Sequence, residues 1–229
     1  MKTQAKIEKE FIDRGYCIQK VENIKLLRSI EGEIYKSLKK NIKFKHKNIQ
    51  EFFNNFHKHI DKNNLNSLRL KIIENNLSKK KFKNYYYQIC KKTLDIIVGN
   101  ELAMQKGINF SIQLPNDNSS LLTMHADTWS GDSAYEAVIW LPLVDCFRSK
   151  SMYILPANKY KIFENIFNKQ KNKSSDNIFK KIKKYIKWID IKFGQFLIFN
   201  QTLPHGNIVN KENETRISMN CRFKGLYTP

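Results

Sequence analysis

The spacing of apolar residues changes near Glu101, and that change limits the fold more than any other feature of the chain. Before it, apolar residues recur three and four apart. One stripe is Leu27, Ile30, Ile34 and Leu38, a second is Ile49, Phe52, Phe53, Phe56 and Ile60, and a third is Phe82, Tyr85, Tyr86, Ile89 and Leu94. Such stripes mark amphipathic helices that need a surface to cover. Ahead of them, Phe11-Ile12-Asp13-Arg14-Gly15-Tyr16-Cys17-Ile18 reads as a helix end, a glycine stop and a short strand. After Glu101 come short apolar runs between turn residues, at 109–114, 121–125, 136–143, 152–155, 188–191, 195–199, 208–209 and 217–223. That order predicts an α+β chain with a mainly β core: a double-stranded β-helix, or jelly roll, with an N-terminal helical layer packed on one sheet. Residues 159–187 interrupt the strands. Phe163, Ile166 and Phe167 predict one helix there and Ile178, Ile182 and Ile186 a second, separated by the polar run 171–177. The chain reads as one domain, 1–229, with 1–100 as helical support and 101–229 as the core.

The residue types able to carry chemistry fall in the second half. His125 and Asp127 stand in Leu122-Thr123-Met124-His125-Ala126-Asp127, and His205 stands in Leu203-Pro204-His205-Gly206. Side chains two apart on a strand share a face, so His125 and Asp127 can reach one metal ion. His205 joins them only if the sheet folds back on itself. Two imidazoles and a carboxylate on one side of a metal leave the other side open, which is the ligand set of non-haem Fe(II) sites. A His-x-Asp pair alone is as well explained by a buried, hydrogen-bonded histidine. The later His-Gly, with Arg216 eleven positions beyond it, favours the metal. His46, His57 and His59 lie in Lys-rich helical surroundings and read as surface residues.

Composition narrows the partners. The net charge is +20, yet only six of the 41 basic residues are Arg. The lysines are spread along the chain among Asn and Ile, a pattern that an AT-rich coding sequence produces without any ligand. It favours a solvated Lys-rich surface over a nucleic-acid groove. The charge is compatible with an anionic small molecule. No apolar run reaches the length of a membrane span, and the first residues carry no secretion signal. Cys17, Cys90, Cys146 and Cys221 form no CxxC pair, which predicts reduced thiols and a cytoplasmic protein. The oligomeric state is not legible.

Several segments carry a family resemblance: Met124-His125-Ala126-Asp127-Thr128-Trp129-Ser130-Gly131-Asp132-Ser133, Val138-Ile139-Trp140-Leu141-Pro142-Leu143-Val144-Asp145, Ser151-Met152-Tyr153-Ile154-Leu155-Pro156, His205-Gly206-Asn207 and Arg216-Ile217-Ser218. Over residues 100 to 225 the chain resembles the Fe(II)- and 2-oxoglutarate-dependent oxygenases of the phytanoyl-CoA dioxygenase-like superfamily. Among these it is most similar to the bacterial oxygenases of sporadic carbohydrate-biosynthesis clusters. It departs from the wider superfamily at Lys150-Ser151-Met152-Tyr153 and Pro156-Ala157-Asn158-Lys159, where many members carry a Gly-rich turn and a Pro-Gly-Ser-His segment. The resemblance implies Fe(II) on His125, Asp127 and His205. It implies 2-oxoglutarate chelating the metal with its far carboxylate on Arg216, and O2 as oxidant. It also implies hydroxylation or a related C–H oxidation of a small metabolite, with a sugar or sugar nucleotide as one substrate class. Related halogenases have a small residue where this chain keeps Asp127.

Further positions have two readings each. Ser218, two residues after Arg216, is a second donor to the cosubstrate or a backbone-bonded serine. Gln113 hydrogen-bonds 2-oxoglutarate or substrate, or faces outward. Thr123 shares the face of His125 and lines the cosubstrate pocket. Trp140, in the apolar 137–143 run, is expected in the core rather than stacked on substrate. Trp129, Asp132 and Tyr153 are expected at the pocket mouth, near the substrate. The rival functions are an oxygenase acting on nucleic acid, a metal-containing binding protein without turnover, and a zinc hydrolase, which would have no use for Arg216.

Overall fold

The computed structural model describes residues 4–40, 42–169 and 174–228. Helix α1 (Gln4–Arg14) ends at Gly15, whose φ of 74° turns the chain into β1 (Tyr16–Lys20). A Cβ on Gly15 would meet Leu203 Cδ1 at 2.6 Å, so conformation and packing both require glycine there. Asn23 caps α2 (Ile24–Lys39), its Oδ1 accepting from the backbone N–H groups of Lys25 and Leu26. Asn48 caps α3 (Ile49–Asn54) through Glu51 N at 2.9 Å. Helix α4 (Leu65–Ile72) runs on into a π-helical turn, and α5 (Lys80–Ile97) follows. The predicted stripes fall on α2, on α3 with the turn after it, and on α5. Helix α4 belongs to none of them.

The strands are β2 (Leu102–Met104), β3 (Asn109–Gln113), β4 (Ala137–Pro142), β5 (Tyr153–Ile154), β6 (Lys187–Trp188), β7 (Gln195–Asn200), β8 (His205–Gly206) and β9 (Arg216–Gly225). All their pairings are antiparallel. The larger sheet has the order β1-β7-β4-β9-β2, with β3 also pairing with β9, and the smaller has the order β6-β5-β8. β9 is the long central strand. It has β4 along one side and β3 then β2 along the other. Its odd residues, Ile217, Met219, Cys221 and Phe223, are buried in the core that the helices share. Its even residues, Arg216, Ser218, Asn220 and Arg222, project from the opposite face. The Tyr86 hydroxyl donates to Ile139 O at 2.8 Å and fastens α5 to β4.

Two expected strands do not form. At 121–125 only His125 makes a bridge. Leu122 meets Asn207 by one side-chain and one backbone bond, its N donating to Asn207 Oδ1 at 2.7 Å and its O accepting from Asn207 N at 2.9 Å, which breaks the regular ladder. At 208–209 the backbone is irregular, and β8 forms just before it. The interruption holds two helices, α6 (Tyr160–Asn168) and α7 (Ser175–Ile182); residues 171–173 of its polar run lie outside the described residues. These helices share a second, smaller core with Met124, Tyr153 and Leu155. Two histidines expected at the surface are half-buried. His46 Nε2 lies 2.7 Å from Tyr35 Oη, and His57 Nδ1 lies 3.0 Å from Thr215 Oγ1. Among the described residues no helix is long and apolar enough to cross a membrane.

Candidate active site

The site is set first by backbone. His125 N donates to His205 O at 2.9 Å, and His205 N donates back to His125 O at 2.8 Å. Asp127 opens a short 3-10 turn, Asp127–Ser130, and its N–H donates to Gln201 O at 3.1 Å. His125 and Asp127 are therefore not two positions of one continuous strand, but both point to the same place. His125 Nε2 is 3.4 Å and His205 Nε2 is 3.9 Å from Asp127 Oδ1. The ligand atoms of the three residues all lie within 4.8 Å of one another, close enough to hold one metal ion.

Each imidazole is aimed from behind. His125 Nδ1 meets Thr123 O and His205 Nδ1 meets Leu203 O, both at 2.8 Å. A carbonyl only accepts, so Nδ1 carries the proton and the Nε2 lone pair faces the shared point. Burial, followed by the neighbouring His125, pushes His205 down to about 4. At pH 7 it is neutral, the form that binds metal. For Asp127 burial is the largest single influence and acts upward. The neighbouring His125, His205 and Arg222 together outweigh it and hold the carboxyl below its ordinary value.

Sequence motifs alone do not mark Arg222. Its Nε and Nη2 lie 3.3 and 3.2 Å from Asp127 Oδ2, and Nη2 also lies 3.2 Å from Asp132 Oδ2. The available signal is alternation, since Arg222 continues the face that carries Arg216, Ser218 and Asn220.

Beside His205 opens a cavity of about 490 Å³, with Arg216, Ser218, Asn220, Ser111 and Trp140 in its wall. Arg216 is buried. Its Nη1 is 3.4 Å from Ser151 O, and its Nε has no hydrogen-bond partner. Burial lowers it to about 10, which leaves it a cation at pH 7. A buried guanidinium with a spare donor beside a cavity is able to take a carboxylate.

Other expected residues stand elsewhere. Gln113 is fully buried but outside the cavity wall, where its Nε2 donates to Ile208 O at 2.7 Å. The Thr123 side chain is exposed, and only its carbonyl serves the site. Asp132 is spent on Arg222. Trp129 is 43% exposed and stacks on Phe163 and Phe167 of α6, with ring centroids 5.9 and 5.4 Å away. Tyr153 is not at a mouth. It is buried between Phe179 and Trp188, because the inserted helices cover it. Trp140 is in the core, as expected, and also lines the cavity.

No protein-family model matches the chain, and no curated protein matches it. Solved structures do match, across almost its whole length. HygX from Streptomyces hygroscopicus, with nickel and 2-oxoglutarate bound, superposes with a TM-score of 0.59 at 11% identity, over 99% of this chain and 88% of that one. The chain shares its fold with non-haem oxygenases. EvdO2 from Micromonospora carbonacea var. aurantiaca, complexed with 2-oxoglutarate, gives 0.56 at 14% identity, over 100% of this chain and 95% of that one. The non-heme monooxygenase ThoJ in its nickel complex gives 0.57 at 12% identity, over 96% and 77%. At these identities the likeness is one of fold.

Proposed function

We propose that the protein is an Fe(II)- and 2-oxoglutarate-dependent oxygenase that oxidises a C–H bond of a small polar metabolite. The observation that carries this reading is the pairing of two features beside one cavity: His205, one of three clustered metal-ligating side chains, and the buried, under-bonded Arg216 both stand in its wall. A metal hydrolase or a plain metal-binding protein gives Arg216 nothing to do. The donor set fits iron, with two neutral imidazoles and one ionised carboxylate. His125, Asp127 and His205 would hold the metal. When bound, iron and 2-oxoglutarate supply the oxidising chemistry, with O2 as oxidant.

The chain's own residues bind, aim and shield. Arg216 takes the far carboxylate of 2-oxoglutarate, and the Ser218 hydroxyl beside it on β9 offers a second donor. The carbonyls of Thr123 and Leu203 hold the two imidazoles in one tautomer. Phe199 packs against the His205 ring at 4.8 Å and keeps water from that side. The two sheets read as a jelly roll in a single domain, since HygX and EvdO2, which match nearly end to end, bind 2-oxoglutarate in the same fold. HygX also has a structure with hygromycin B bound, which supports a small polar substrate such as a sugar for this chain. Arg216 and Arg222 are both committed within the site, and that weighs against a nucleic-acid substrate.

The test is protein loaded anaerobically with Fe(II), with and without 2-oxoglutarate. A weak visible charge-transfer band should appear with 2-oxoglutarate, vanish in His205→Ala and need far more cosubstrate in Arg216→Ala. No band in folded, iron-loaded wild type sinks the reading.

A further inference from the structure

Asp127 presents its two oxygens to different partners. Oδ1 faces His125 Nε2 and His205 Nε2, at 3.4 and 3.9 Å. Oδ2 faces away, onto Nε and Nη2 of Arg222. Two donors on one oxygen fix the plane of a carboxylate as well as its charge. Arg222 is itself held from several directions. Its N–H donates to Gln105 Oε1 at 3.1 Å, and its carbonyl accepts from Gln105 N at 2.9 Å. Val138 of β4 is its register partner, and Asp132 takes Nη2 at 3.2 Å. With its backbone fixed in the sheet and its guanidinium held by Asp132, Arg222 sets where the carboxylate stands.

We infer that Arg222 is a positioning residue that makes Asp127 a one-oxygen metal ligand, with Asp132 holding Arg222 to that task. The inference rests on the oxygenase reading of the site. Its chemical content concerns the number of open metal positions. A carboxylate free to rotate can offer both oxygens and occupy a second position on the metal. The proposed cosubstrate chelates through two atoms and O2 needs one more, so three positions must stay open beside three protein ligands. With Oδ2 engaged by Arg222, only Oδ1 is offered. Loss of the fork lets Asp127 compete with the chelating cosubstrate for the metal.

The test uses the full chain saturated with Co(II), whose visible absorption reports the number of ligands, titrated with 2-oxoglutarate. Thermal melting of each variant runs in parallel. In Arg222→Gln the spectrum before addition is expected to shift to the weaker bands of a more highly coordinated ion. The 2-oxoglutarate needed to complete the spectral change should rise about tenfold or more, the scale of one lost hydrogen bond to a charged group. Arg222→Lys keeps the charge without the fork, so its spectrum should stay altered. Asp132→Asn should move the spectrum in the same direction by less, and it carries the test if Arg222→Gln does not fold. A wild-type spectrum and titration in a folded Arg222→Gln overturn the proposal. Full restoration by Lys also overturns it, since charge alone then suffices. His205→Ala separates the two levels: if wild type shows no Co(II) spectrum that His205→Ala abolishes, the oxygenase reading fails before Arg222 is in question.

Discussion

Gly206 lies so close against Tyr153 that a Cβ on it would stand 2.8 Å from the Tyr153 hydroxyl oxygen. The same Cβ would stand 2.9 Å from Leu122 O and 3.0 Å from Thr123 O, and backbone cannot swing aside as a side chain does. Thr123 O is also the acceptor that aims His125. Gly206→Ala is therefore expected to cost about 1–3 kcal/mol of stability, as overpacking does. It should weaken metal binding as well, because any relief moves His205 or His125. Chemical denaturation and a Ni(II) titration check the pair. Unchanged metal affinity in a destabilised variant would separate packing from ligand geometry.

The apo protein should lose stability in acid before its carboxylates protonate. Burial lowers His205 to about 4, while in the unfolded chain it titrates near its ordinary value of 6.5. Between these values the unfolded chain binds the proton and the folded chain does not. This contribution is complete above 6.5 and lost as the pH falls towards 4. A gap of this size corresponds to about 3 kcal/mol. His205→Gln should flatten the stability profile in that window. The same slope in wild type and variant would remove His205 as its cause.

Arg216 is a buried cation whose Nε has no hydrogen-bond partner, and on the proposed function its partner is the cosubstrate. In the apo protein its removal leaves no buried carboxylate unpaired, so Arg216→Met should be at least as stable as wild type. With Ni(II) and 2-oxoglutarate, wild type should gain about 2.7 kcal/mol at a hundredfold excess over Kd. That gain should be nearly absent in Arg216→Met. An apo variant that melts well below wild type would mean that Arg216 serves the fold.

Trp129 joins the segment after Asp127 to α6 by stacking on both Phe163 and Phe167. Trp129→Ala should loosen the inserted helices by about 0.5–1.5 kcal/mol for each ring pair removed. Hydrogen exchange should rise in α6 and α7 while β4 and β9 stay protected. Uniform exchange across the chain would show that the insertion does not move as a unit.

The parts of the site legible in the sequence are those where chemistry demands a residue type. His125, Asp127 and His205 stand out because few patterns other than a metal site explain them together, and Arg216 because of its place after His205. The helical stripes and the alternation of β9 are legible for the same kind of reason, since a period shows on the page. What stays hidden depends on who sits opposite. Arg222 gains its meaning only when the fold brings Asp127 and Asp132 against its guanidinium. The 121–125 segment has the pattern of a strand, but the Asn207 side chain takes the place of one backbone partner and breaks the ladder. Tyr153 reads as a rim residue because the sequence does not show that Phe179 and Trp188 close over it. His57 is half-buried by Thr215, 158 positions along the chain.

β9 carries two residues of the site on one face, with Arg216 in the cavity wall and Arg222 against Asp127. A slip of one residue along that strand would turn all four even residues into the hydrocarbon core and push Ile217, Met219, Cys221 and Phe223 out of it. The apolar pattern that fixes the strand thus also inspects the site. A strand held in that register turns positions 216 and 222 to the site together, so the spacing between them is set by the core and not by the site itself.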